Sequence, residues 1–382
     1  MTGRDQAIDA FLAKAGWAGA VRAPLAGDAS ARRYERIRHQ GKTAVLMDAP
    51  PEPGEAKAGA GGAIRASGYS AAARLAVDCR PFVAIASYLT QCGLSAPTIY
   101  AEDVAQGLLL LEDLGDDLFV RLLGETGDAK DETRLYEAAV DLLIASHARD
   151  AQAELPLPRG GRYALSRYEP SVYQIEADLL IDWYVPALRG AALPEADRTA
   201  YHAAWAPVLG RLNGERPVLV LRDYHAGNLL WLPDRPGPAS VGLLDFQDGL
   251  LGSAAYDLVS LLQDARRDVS ALLEERMLAR YIEAAGRRAD FNEDQFRLAY
   301  AILGAQRNAK IVGIFTRLSR RDGKPVYLRH LPRVWRYLTA DLAHPALGPL
   351  RRWFDLTVPH AMRIAAPRAE SEGFAPLRKA AS

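Results

Sequence analysis

Hydrophobic and polar positions follow two different periods along the chain. Near the start, an alternating segment runs through Ile37, and a second one, Thr43 to Met47, follows the turn at Gln40-Gly41. This period of two is typical of half-buried β-strands. After residue 131, apolar positions instead recur every three or four residues, which predicts helices over about 255–265, 270–285, 293–312 and 331–342. The pattern therefore predicts strands first and mainly helices afterwards.

Two apolar runs in the middle of the chain lead into carboxylates. The run from Val218 leads into Asp223, which is followed at a fixed spacing by Asn228, and the run from Val241 leads into Asp245. Phosphoryl transfer needs one carboxylate to take the proton of the attacking hydroxyl, and a carboxamide and a second carboxylate to hold Mg²⁺. The alternative is a pair of buried hairpin strands with incidental acids. A helix that opens at Tyr256-Asp257 after the second run favours the first interpretation.

This arrangement resembles the catalytic loop and the metal-binding Asp of the protein-kinase-like fold. The phosphotransferase branch is more similar, because Asp245-Phe246 is followed by Gln247 rather than Gly. The resemblance implies an α+β, two-lobed fold with a small antiparallel-sheet N-lobe and a larger, mainly helical C-lobe. The expected organisation is a nucleotide-binding N-lobe with hinge at 1–113, a catalytic and substrate-binding C-lobe at 114–366, and a frayed tail at 367–382. ATP and Mg²⁺ are the implied cofactors.

Each residue of the predicted loop has an expected role. Asp223 would act as the general base, and Asn228 and Asp245 would hold Mg²⁺. Arg222 could steady the loop, and Asp257 is expected to cap its helix or brace the loop rather than to take part in catalysis. For His225, contact with the substrate and a scaffold role both stay open.

The nucleotide is expected to bind in two places. The small-residue turn that contains Gly27, Asp28 and Ser30 could offer backbone N–H groups and a hydroxyl to the phosphates, although it could equally be an ordinary hairpin. The backbone of Leu111, Glu112 and Asp113 would meet the adenine at the hinge. The alternative for these two acids is a pair of solvated turn carboxylates.

The expected nucleotide-binding lysine is missing from the N-lobe. Met47 occupies its place, and the next predicted helix, Arg80 to Cys92, contains no acidic residue, so both partners of the usual Lys–Glu ion pair are absent. Arg32 and Arg33 are the best candidates for the replacing cation, with Lys42 behind them. Residues 51–77 are rich in Ala, Gly and Pro, which predicts a loop beside the active site.

Composition narrows the class of protein. The 382 residues include 47 Lys and Arg and 47 Asp and Glu, so the net charge favours neither nucleic acid nor an acidic membrane surface as a partner. Two cysteines, Cys79 and Cys92, do not form a disulfide framework, and no Cys/His cluster has zinc spacing. Charged residues interrupt the N-terminal segment, and no apolar run has the length of a membrane span. We therefore expect a cytoplasmic protein.

The segment 306–336 carries many basic residues and bears on the acceptor. Arg307, Lys310, Arg317 and Arg321 are the candidate substrate contacts, and they share a helical face only if the helix continues past Gly313. A basic segment suits an acceptor with a carboxylate and argues against a polycationic aminoglycoside. A solvated or nucleic-acid-facing run of charges is the alternative.

A closer resemblance, covering most of residues 25–340, is to the anomeric N-acetylmuramate/N-acetylglucosamine kinases of the aminoglycoside-phosphotransferase-like family. It is carried by Gly27-Asp-Ala-Ser with Arg32-Arg-Tyr, Val45-Leu-Met-Asp-Ala-Pro-Pro51, Leu110-Leu-Glu-Asp-Leu-Gly115, Arg222-Asp-Tyr-His…Asn228, Leu244-Asp-Phe-Gln-Asp248, Tyr256-Asp-Leu-Val-Ser-Leu-Leu262 and Gly313-Ile-Phe-Thr-Arg-Leu-Ser-Arg-Arg-Asp-Gly-Lys324. Leu221 departs from the His that is common at its position in the superfamily.

That resemblance implies ATP-dependent phosphorylation of the anomeric hydroxyl of an amino sugar. The product would be the sugar 1-phosphate, which a uridylyltransferase uses in cell-wall recycling, and the lactyl carboxylate of N-acetylmuramate would explain the basic segment. Two alternatives stay open. One is a kinase for another small molecule, such as an aminoglycoside or an amino alcohol; the other is a nucleotide-binding pseudokinase, which the missing lysine favours.

Overall fold

The computed structural model describes residues 3–25, 32–50, 56–58, 64–66, 68–126 and 128–364, with the backbone alone for 56–58, 64–66, 125–126 and 364. The strands are β1 Val21–Pro24, β2 Arg33–His39, β3 Lys42–Asp48, β4 Ala56–Ala58, β5 Ile64–Ala66, β6 Ile99–Asp103, β7 Leu108–Leu111, β8 Glu154–Pro156, β9 Arg162–Ala164, β10 Val218–Val220, β11 Leu229–Trp231, β12 Val241–Leu243 and β13 Leu250–Gly252. The helices are α1 Gly3–Lys14, α2 Gly68–Ala72, α3 Arg80–Gln91, α4 Phe119–Thr126, α5 Ala129–His147, α6 Pro170–Leu179, α7 Val185–Arg189, α8 Glu195–Leu209, α9 Ala255–Leu262, α10 Ala271–Ala285, α11 Glu293–Asp322, α12 Leu331–Asp341, α13 Gly348–Thr357 and α14 His360–Ile364.

The chain divides into two compact units. The first unit contains Met1–Arg167, Pro217–Leu261 and Glu275–Arg287, and the second contains Tyr168–Arg216, Leu262–Glu274 and Arg288–Ser382. The predicted catalytic loop belongs to the first unit and the predicted basic segment to the second. The predicted lobe boundaries stay a prediction, and the tail at 367–382 lies outside the described residues.

A five-stranded antiparallel sheet forms the start of the first unit, as the alternating pattern predicts. Its strand order is β1-β2-β3-β7-β6. One face packs against α1 through a buried cluster that includes Phe11 of α1 and Ala44 and Leu46 of β3. Because successive side chains of a strand point to opposite faces, Met47 lies on the other face. The residue in the place of the missing lysine is thus buried away from α1.

A glycine closes the turn between β6 and β7. Gly107 has a φ of +67°, and a Cβ at this position would lie 2.1 Å from the carbonyl oxygen of Ala49. Its own carbonyl accepts a hydrogen bond from the Ala49 N–H at 2.8 Å. Glycine is therefore required here on two grounds, backbone conformation and the close approach of the chain that follows β3.

Helix α5 contacts the predicted catalytic loop within the first unit. The β10 strand pairs with β13, and β11 pairs with β12, in two short antiparallel ladders. The hydroxyl of Tyr224 donates a hydrogen bond to the Ala139 carbonyl of α5 at 2.8 Å. Further along, Arg280 of α10 forms an ion pair with Asp141 of α5 at 2.7 Å. The hydrogen bond of Tyr224 thereby fixes the loop to α5.

In the second unit, α11 is longer than the sequence predicts. The helix runs over 30 residues and passes Gly313 without a break, although the predicted helix ends near residue 312. A Cβ on Gly313 would lie 2.4 Å from the carbonyl oxygen of Leu179, at the end of α6. The glycine therefore serves close packing of two helices rather than helix termination. The prediction of a helix end near this glycine was wrong.

Two other segments differ from the sequence-based expectation. The loop predicted for residues 51–77 contains the β4–β5 hairpin and the short helix α2. Between α6 and α7 the chain forms one turn of π-helix, Leu180–Tyr184, which a helical period in the sequence does not indicate. Turns of this kind are frequent at functional sites. Among the described residues, no helix is both long enough and apolar enough to cross a membrane.

Candidate active site

The catalytic segment brings its two apolar runs together through backbone hydrogen bonds. The Leu244 N–H donates to the Asn228 carbonyl at 3.0 Å, beside the β11–β12 ladder. This bond places the end of the first run next to the start of the second. Asp223, Asn228 and Asp245 consequently lie in one cluster of loops, as the sequence predicts for a phosphoryl-transfer site.

Two residues of this cluster have a left-handed backbone although neither is glycine. Arg222 has a φ of 73° and Asp245 a φ of 55°. Such conformations cost on the order of 1–3 kcal/mol each and persist only where the surroundings hold them. They set the directions in which Asp223 and Asp245 leave the ends of their strands.

Asp257 holds the bend at Arg222. Its fully buried carboxylate accepts the N–H groups of Leu221 at 2.7 Å and of Arg222 at 2.9 Å. The Arg222 side chain is also buried, and its Nη2 donates to the Ala73 carbonyl at 2.9 Å. Asp257 and Arg222 were expected to brace the loop, and the structure shows contacts of that kind for both residues.

Replacing Asp257 by Asn is expected to destabilise the protein by about 1.5–3 kcal/mol, because the carboxamide keeps only one acceptor oxygen for two N–H groups. We expect kcat to fall as well, since the bend that aims Asp223 is loosened. Urea unfolding followed by fluorescence, with kinase assays at the same temperature, measures both effects. The matched control is Asp234→Asn, an exposed loop carboxylate. An unchanged unfolding midpoint in Asp257→Asn would show that the brace contributes nothing.

The amide group of Asn228 is held inside the loop through its nitrogen. Its Nδ2 donates to the Asp223 carbonyl at 2.9 Å, and its backbone N–H donates to the His225 carbonyl at 2.8 Å. With the amide nitrogen engaged in this way, Oδ1 is the remaining polar atom of the side chain. A carboxamide oxygen is a suitable ligand for Mg²⁺.

His225 has a structural contact inside the loop. The side chain is buried, and its Nδ1 accepts the Gly227 N–H at 3.1 Å. This contact caps the short 3₁₀ turn Ala226–Asn228 that leads into β11. The structure therefore favours the scaffold role, and contact of His225 with a substrate stays a prediction.

Asp245 lies among charges but remains reachable from solvent. Its side chain keeps 40% of its surface exposed, and Arg32 Nη1 lies 3.4 Å from its Oδ1. Desolvation by the surrounding protein raises the pKa of Asp245; the Arg32 charge lowers it, and the nearby Asp223 raises it again. A divalent cation would offset this accumulation of negative charge.

Two neighbours of Asp245 hold the segment that follows it. Gln247 is buried and donates from Nε2 to the Asp245 carboxylate at 2.9 Å. The ring of Phe246 stacks on Phe82 of α3, with ring centroids 4.8 Å apart. Neither contact is among those predicted from the sequence. The only signal was the Asp-Phe-Gln order itself, since Phe82 lies more than 160 positions away.

Arg32 lies at the acidic cluster, and Arg33 does not. Burial alone would lower the pKa of Arg32, but the charges of Asp245, Tyr34, Asp248 and Asp223 raise it overall. Arg33 starts β2 with an exposed side chain, and Lys42 is exposed at the start of β3. Of the three cations considered, the structure therefore favours Arg32 as the replacement for the missing lysine.

Tyr34 lies beside Arg32 and was not singled out from the sequence. Burial raises the pKa of its hydroxyl to about 12, against the lowering effect of the Arg32 charge and hydrogen bond. The hydroxyl is consequently neutral near pH 7. In the sheet, Tyr34 is paired with Met47 across β2 and β3. The tyrosine thus contacts Arg32 from the position opposite the missing lysine.

The oxygen atoms offered by the loop cluster fit a Mg²⁺ ion. No group of three or more His, Cys, Asp or Glu side chains is arranged to hold a metal anywhere in the described ranges. Mg²⁺ keeps several waters and is bound through one or two protein oxygens together with substrate phosphates. The Asp245 carboxylate and the Asn228 amide oxygen fit that pattern.

The acids of the predicted hinge are occupied by ion pairs and hydrogen bonds. Glu112 accepts the N–H of Thr98 at 3.1 Å and its hydroxyl at 2.9 Å, and also pairs with Arg235. Asp113 pairs with Arg36 at 2.8 Å. The alternative of solvated turn carboxylates is not what the structure shows, because both side chains brace the segment after β7.

Nucleotide contacts at the hinge and at the phosphate turn stay predictions. Leu111 is buried at the end of β7, and the Glu112 N–H is engaged by the Thr98 carbonyl at 2.8 Å. Gly27, Asp28 and Ser30 lie outside the described residues. A cavity of about 960 Å³ borders α1, α3 and β6, but none of the predicted site residues that the structure describes lines it.

The four basic candidates of the second unit share one face of α11, because positions 307, 310, 317 and 321 recur at spacings of three, seven and four on an unbroken helix. Arg307 is buried, Lys310 is mostly buried, Arg317 is half-buried and Arg321 is exposed. The condition that the sequence left open, a helix that continues past Gly313, is met.

Comparison with known proteins assigns the family. The phosphotransferase enzyme family matches residues 21–296. This chain belongs to that family. It is 43% identical over 362 residues to an N-acetylmuramate/N-acetylglucosamine kinase of Caulobacter vibrioides, covering 93% of this chain and 97% of the relative. A kinase of the same name from Pseudomonas aeruginosa is 35% identical, covering 86% of each chain.

Solved structures agree on the fold. A choline kinase from Streptococcus pneumoniae superposes with a TM-score of 0.55 at 12% identity, covering 89% of this chain and 100% of that one. A putative aminoglycoside phosphotransferase from Ralstonia eutropha gives 0.55 at 17% identity, covering 91% and 98%. At such identities the likeness shows the fold alone.

Three predictions from the sequence are confirmed by these comparisons. The fold is the α+β, protein-kinase-like one. The chain is a phosphotransferase. The resemblance to N-acetylmuramate/N-acetylglucosamine kinases is borne out by relatives of that name that match most of this chain.

Proposed function

We propose that this phosphotransferase transfers the γ-phosphoryl group of ATP to the anomeric hydroxyl of N-acetylmuramate and/or N-acetylglucosamine, giving the sugar 1-phosphate. The observation that carries the proposal is the loop cluster in which Asp223, Asn228 and Asp245 meet Arg32. The sugars are taken from the relatives' names, on the strength of 43% identity over 93% of this chain.

Asp223 is the general base of the proposed reaction. It accepts the proton of the acceptor hydroxyl as that oxygen bonds to phosphorus. The bend at Arg222, held by Asp257, aims the carboxylate. A positioned base of this kind contributes about 10²–10⁴-fold to the rate.

The other polar residues of the cluster handle the charge of the nucleotide. Asn228 and Asp245 would supply oxygen ligands for Mg²⁺, and the bound ion would neutralise negative charge on the phosphates of ATP. Arg32 supplies a fixed positive charge with a planar, multi-donor head that suits phosphate oxygens. It thereby takes over the task of the lysine that Met47 replaces.

The product chemistry suggests the place of the reaction. A sugar 1-phosphate is the form that a uridylyltransferase joins to a nucleotide, so such an enzyme is the expected functional partner in cell-wall recycling. A cytoplasmic location is part of the same proposal, since ATP and the uridine nucleotide are cytoplasmic.

An acceptor panel tests the proposal. Purified protein is supplied with Mg²⁺–ATP and with N-acetylmuramate, N-acetylglucosamine, choline or kanamycin in turn, and ADP release is measured in a coupled assay. We expect turnover with the two amino sugars and at least tenfold lower kcat/KM with the other acceptors. Higher efficiency with choline or kanamycin would replace the proposed acceptor. Absence of turnover with every acceptor would favour the pseudokinase alternative.

A further inference from the structure

The face of α11 that carries the basic residues packs against α6 within the second unit. Gly313 brings the two helices close, since a Cβ there would lie 2.2 Å from the Leu179 backbone carbon. Immediately after Leu179 the chain forms the π-helical turn Leu180–Tyr184. The four basic residues therefore lie on a helix that packs closely against α6, and their surroundings differ along its length.

Lys310 is already neutralised by a buried acid. Its Nζ lies 2.6 Å from Oε1 of Glu176, a fully buried residue of α6. Oε2 of Glu176 accepts hydrogen bonds from the hydroxyl of Tyr168 and from Gln306 Nε2, the latter at 3.2 Å. The carboxylate and the ammonium group satisfy one another inside the protein. Because its ammonium group is already paired with Glu176, Lys310 is a poor candidate for binding an anionic ligand.

The outer two basic residues also have partners. Arg321 is exposed and pairs with its neighbour Asp322 at 2.8 Å. Arg317 is half-buried and takes part in further interactions of its own. Nε of Arg317 is buried without a hydrogen-bond partner among the described residues, but neither Arg317 nor Arg321 is as deeply buried as Arg307.

Arg307 combines nearly complete burial with a guanidinium nitrogen that has no hydrogen-bond partner among the described residues. Only 5% of its surface is exposed, and its buried Nη1 has no hydrogen-bond partner among the residues that the structure describes. A guanidinium group keeps its charge at every physiological pH, so it cannot escape the cost of burial by losing a proton. An unpaired buried charge is among the costliest arrangements in a protein interior. The side chain next to it, Gln306, likewise has a buried Oε1 without a partner in the described chain.

We propose that Arg307 binds the carboxylate of an anionic acceptor, which is the lactyl group of N-acetylmuramate. This inference rests on the proposed function and narrows it to one specificity-determining residue. A guanidinium group and a carboxylate form two parallel charge-assisted hydrogen bonds, which would satisfy the orphaned Nη1. N-acetylglucosamine lacks the lactyl group and would leave the guanidinium unpaired.

A phosphate of the nucleotide is also an anion that a guanidinium group could bind. The carboxylate of the acceptor is the better candidate for the anion at Arg307 for one reason. The phosphate-facing cation of the first unit is already identified as Arg32, next to Asp245. The kinetic test separates the two sources, because loss of a phosphate contact changes the KM for ATP with either sugar, whereas loss of a lactyl contact does not.

The variant Arg307→Met removes the charge and keeps most of the volume. We expect the ratio of kcat/KM for N-acetylmuramate to kcat/KM for N-acetylglucosamine to fall at least about tenfold, the size of one charge-assisted contact. The KM for ATP is expected to change by less than about twofold. Arg307→Lys should recover part of the ratio, since it keeps the charge but not the planar pair of donors. The matched control is Arg297→Met on the same helix, whose surface pair with Glu293 should leave the ratio unchanged.

A stability measurement excludes a merely structural role. Because Arg307→Met replaces a buried, unpaired charge by an apolar side chain, its Tm without substrate should equal or exceed that of the wild type. N-acetylmuramate should raise the Tm of the wild type more than N-acetylglucosamine does, and this difference should vanish in Arg307→Met. A lower Tm with equal losses on both sugars would overturn the proposal, as would an increase in the KM for ATP alone.

Failure of this inference is distinguishable from failure of the proposed function. A wild type that phosphorylates both sugars, with a ratio that neither Arg307→Met nor Arg307→Lys changes, overturns the role of Arg307 and leaves the kinase assignment standing. A wild type that phosphorylates neither sugar overturns the proposed function, and the lactyl carboxylate is rejected with it. If Arg307→Met does not fold, an unchanged ratio in Arg307→Lys is sufficient to reject the proposal.

Discussion

Replacing Asp223 by Asn is expected to lower kcat by about 10²–10⁴-fold, the usual contribution of a positioned general base. The amide has nearly the same shape but does not accept the hydroxyl proton. The KM for ATP should stay within about twofold, since Asp223 faces the acceptor hydroxyl in the proposed reaction. Steady-state kinetics with the better of the two sugars, together with ATP binding by calorimetry, measure both quantities.

The control for this substitution is another Asp→Asn change away from the cluster. Asp234 is exposed in the loop between β11 and β12, so Asp234→Asn should retain wild-type kcat. Near-native turnover in Asp223→Asn would remove the residue from the role of base. A loss of ATP binding equal to the loss of kcat would instead indicate that Asp223 acts through the nucleotide or its metal ion.

Replacing Arg32 by Met is the second substitution with a large expected effect. Arg32 is the cation nearest to Asp245 among those considered for the missing lysine, with 3.4 Å between Nη1 and Oδ1. One charge-assisted contact to a phosphate contributes about 1.5–3 kcal/mol, so kcat/KM for ATP should fall about 10- to 150-fold. Initial rates over a range of ATP concentrations give the value.

Arg33→Met provides the comparison for Arg32→Met. The two arginines are adjacent in sequence, but Arg33 is exposed at the start of β2. Its replacement should therefore affect kcat/KM for ATP much less. A larger effect at Arg33 than at Arg32 would show that the phosphate-binding cation was assigned to the wrong residue.

The carboxylates of the loop cluster are predictable from the sequence because their signal is local. An apolar strand followed by a polar loop must end at the edge of a core, so the positions of Asp223 and Asp245 after such runs already indicate where the chain leaves it. The missing lysine at Met47 was equally visible. Which arginine is the better candidate to replace it was not, because Arg32 and Arg33 are adjacent where β2 begins, and neighbouring side chains there point to different sides.

Long-range ion pairs account for most of what the sequence did not reveal. Solvated turn acids were one alternative for Glu112 and Asp113, yet their partners Arg235 and Arg36 lie 123 and 77 positions away. Lys310 read as a substrate contact, but Glu176 neutralises it from 134 positions away on another helix. No local pattern specifies such pairs, since a charged residue looks the same on a surface and in a buried network.

The length of α11 shows a different limit. Gly313 suggested a helix end, since glycine lowers helix propensity by about 1 kcal/mol relative to alanine. Close packing on Leu179 outweighs that preference, and the helix continues to Asp322. Tertiary contact decides the boundary, and with it the shared face of the basic residues.

The position of the new phosphate ester tests the central proposal most directly. Wild-type protein is incubated with Mg²⁺–ATP and N-acetylmuramate, and the product is examined by ³¹P NMR and by a reducing-sugar assay. Transfer to the anomeric oxygen predicts a phosphorus signal coupled to the anomeric proton and loss of the reducing end, in step with ADP formation. A phosphorylated sugar that keeps its reducing end, with phosphorus coupled to the C6 protons, would contradict the proposed reaction.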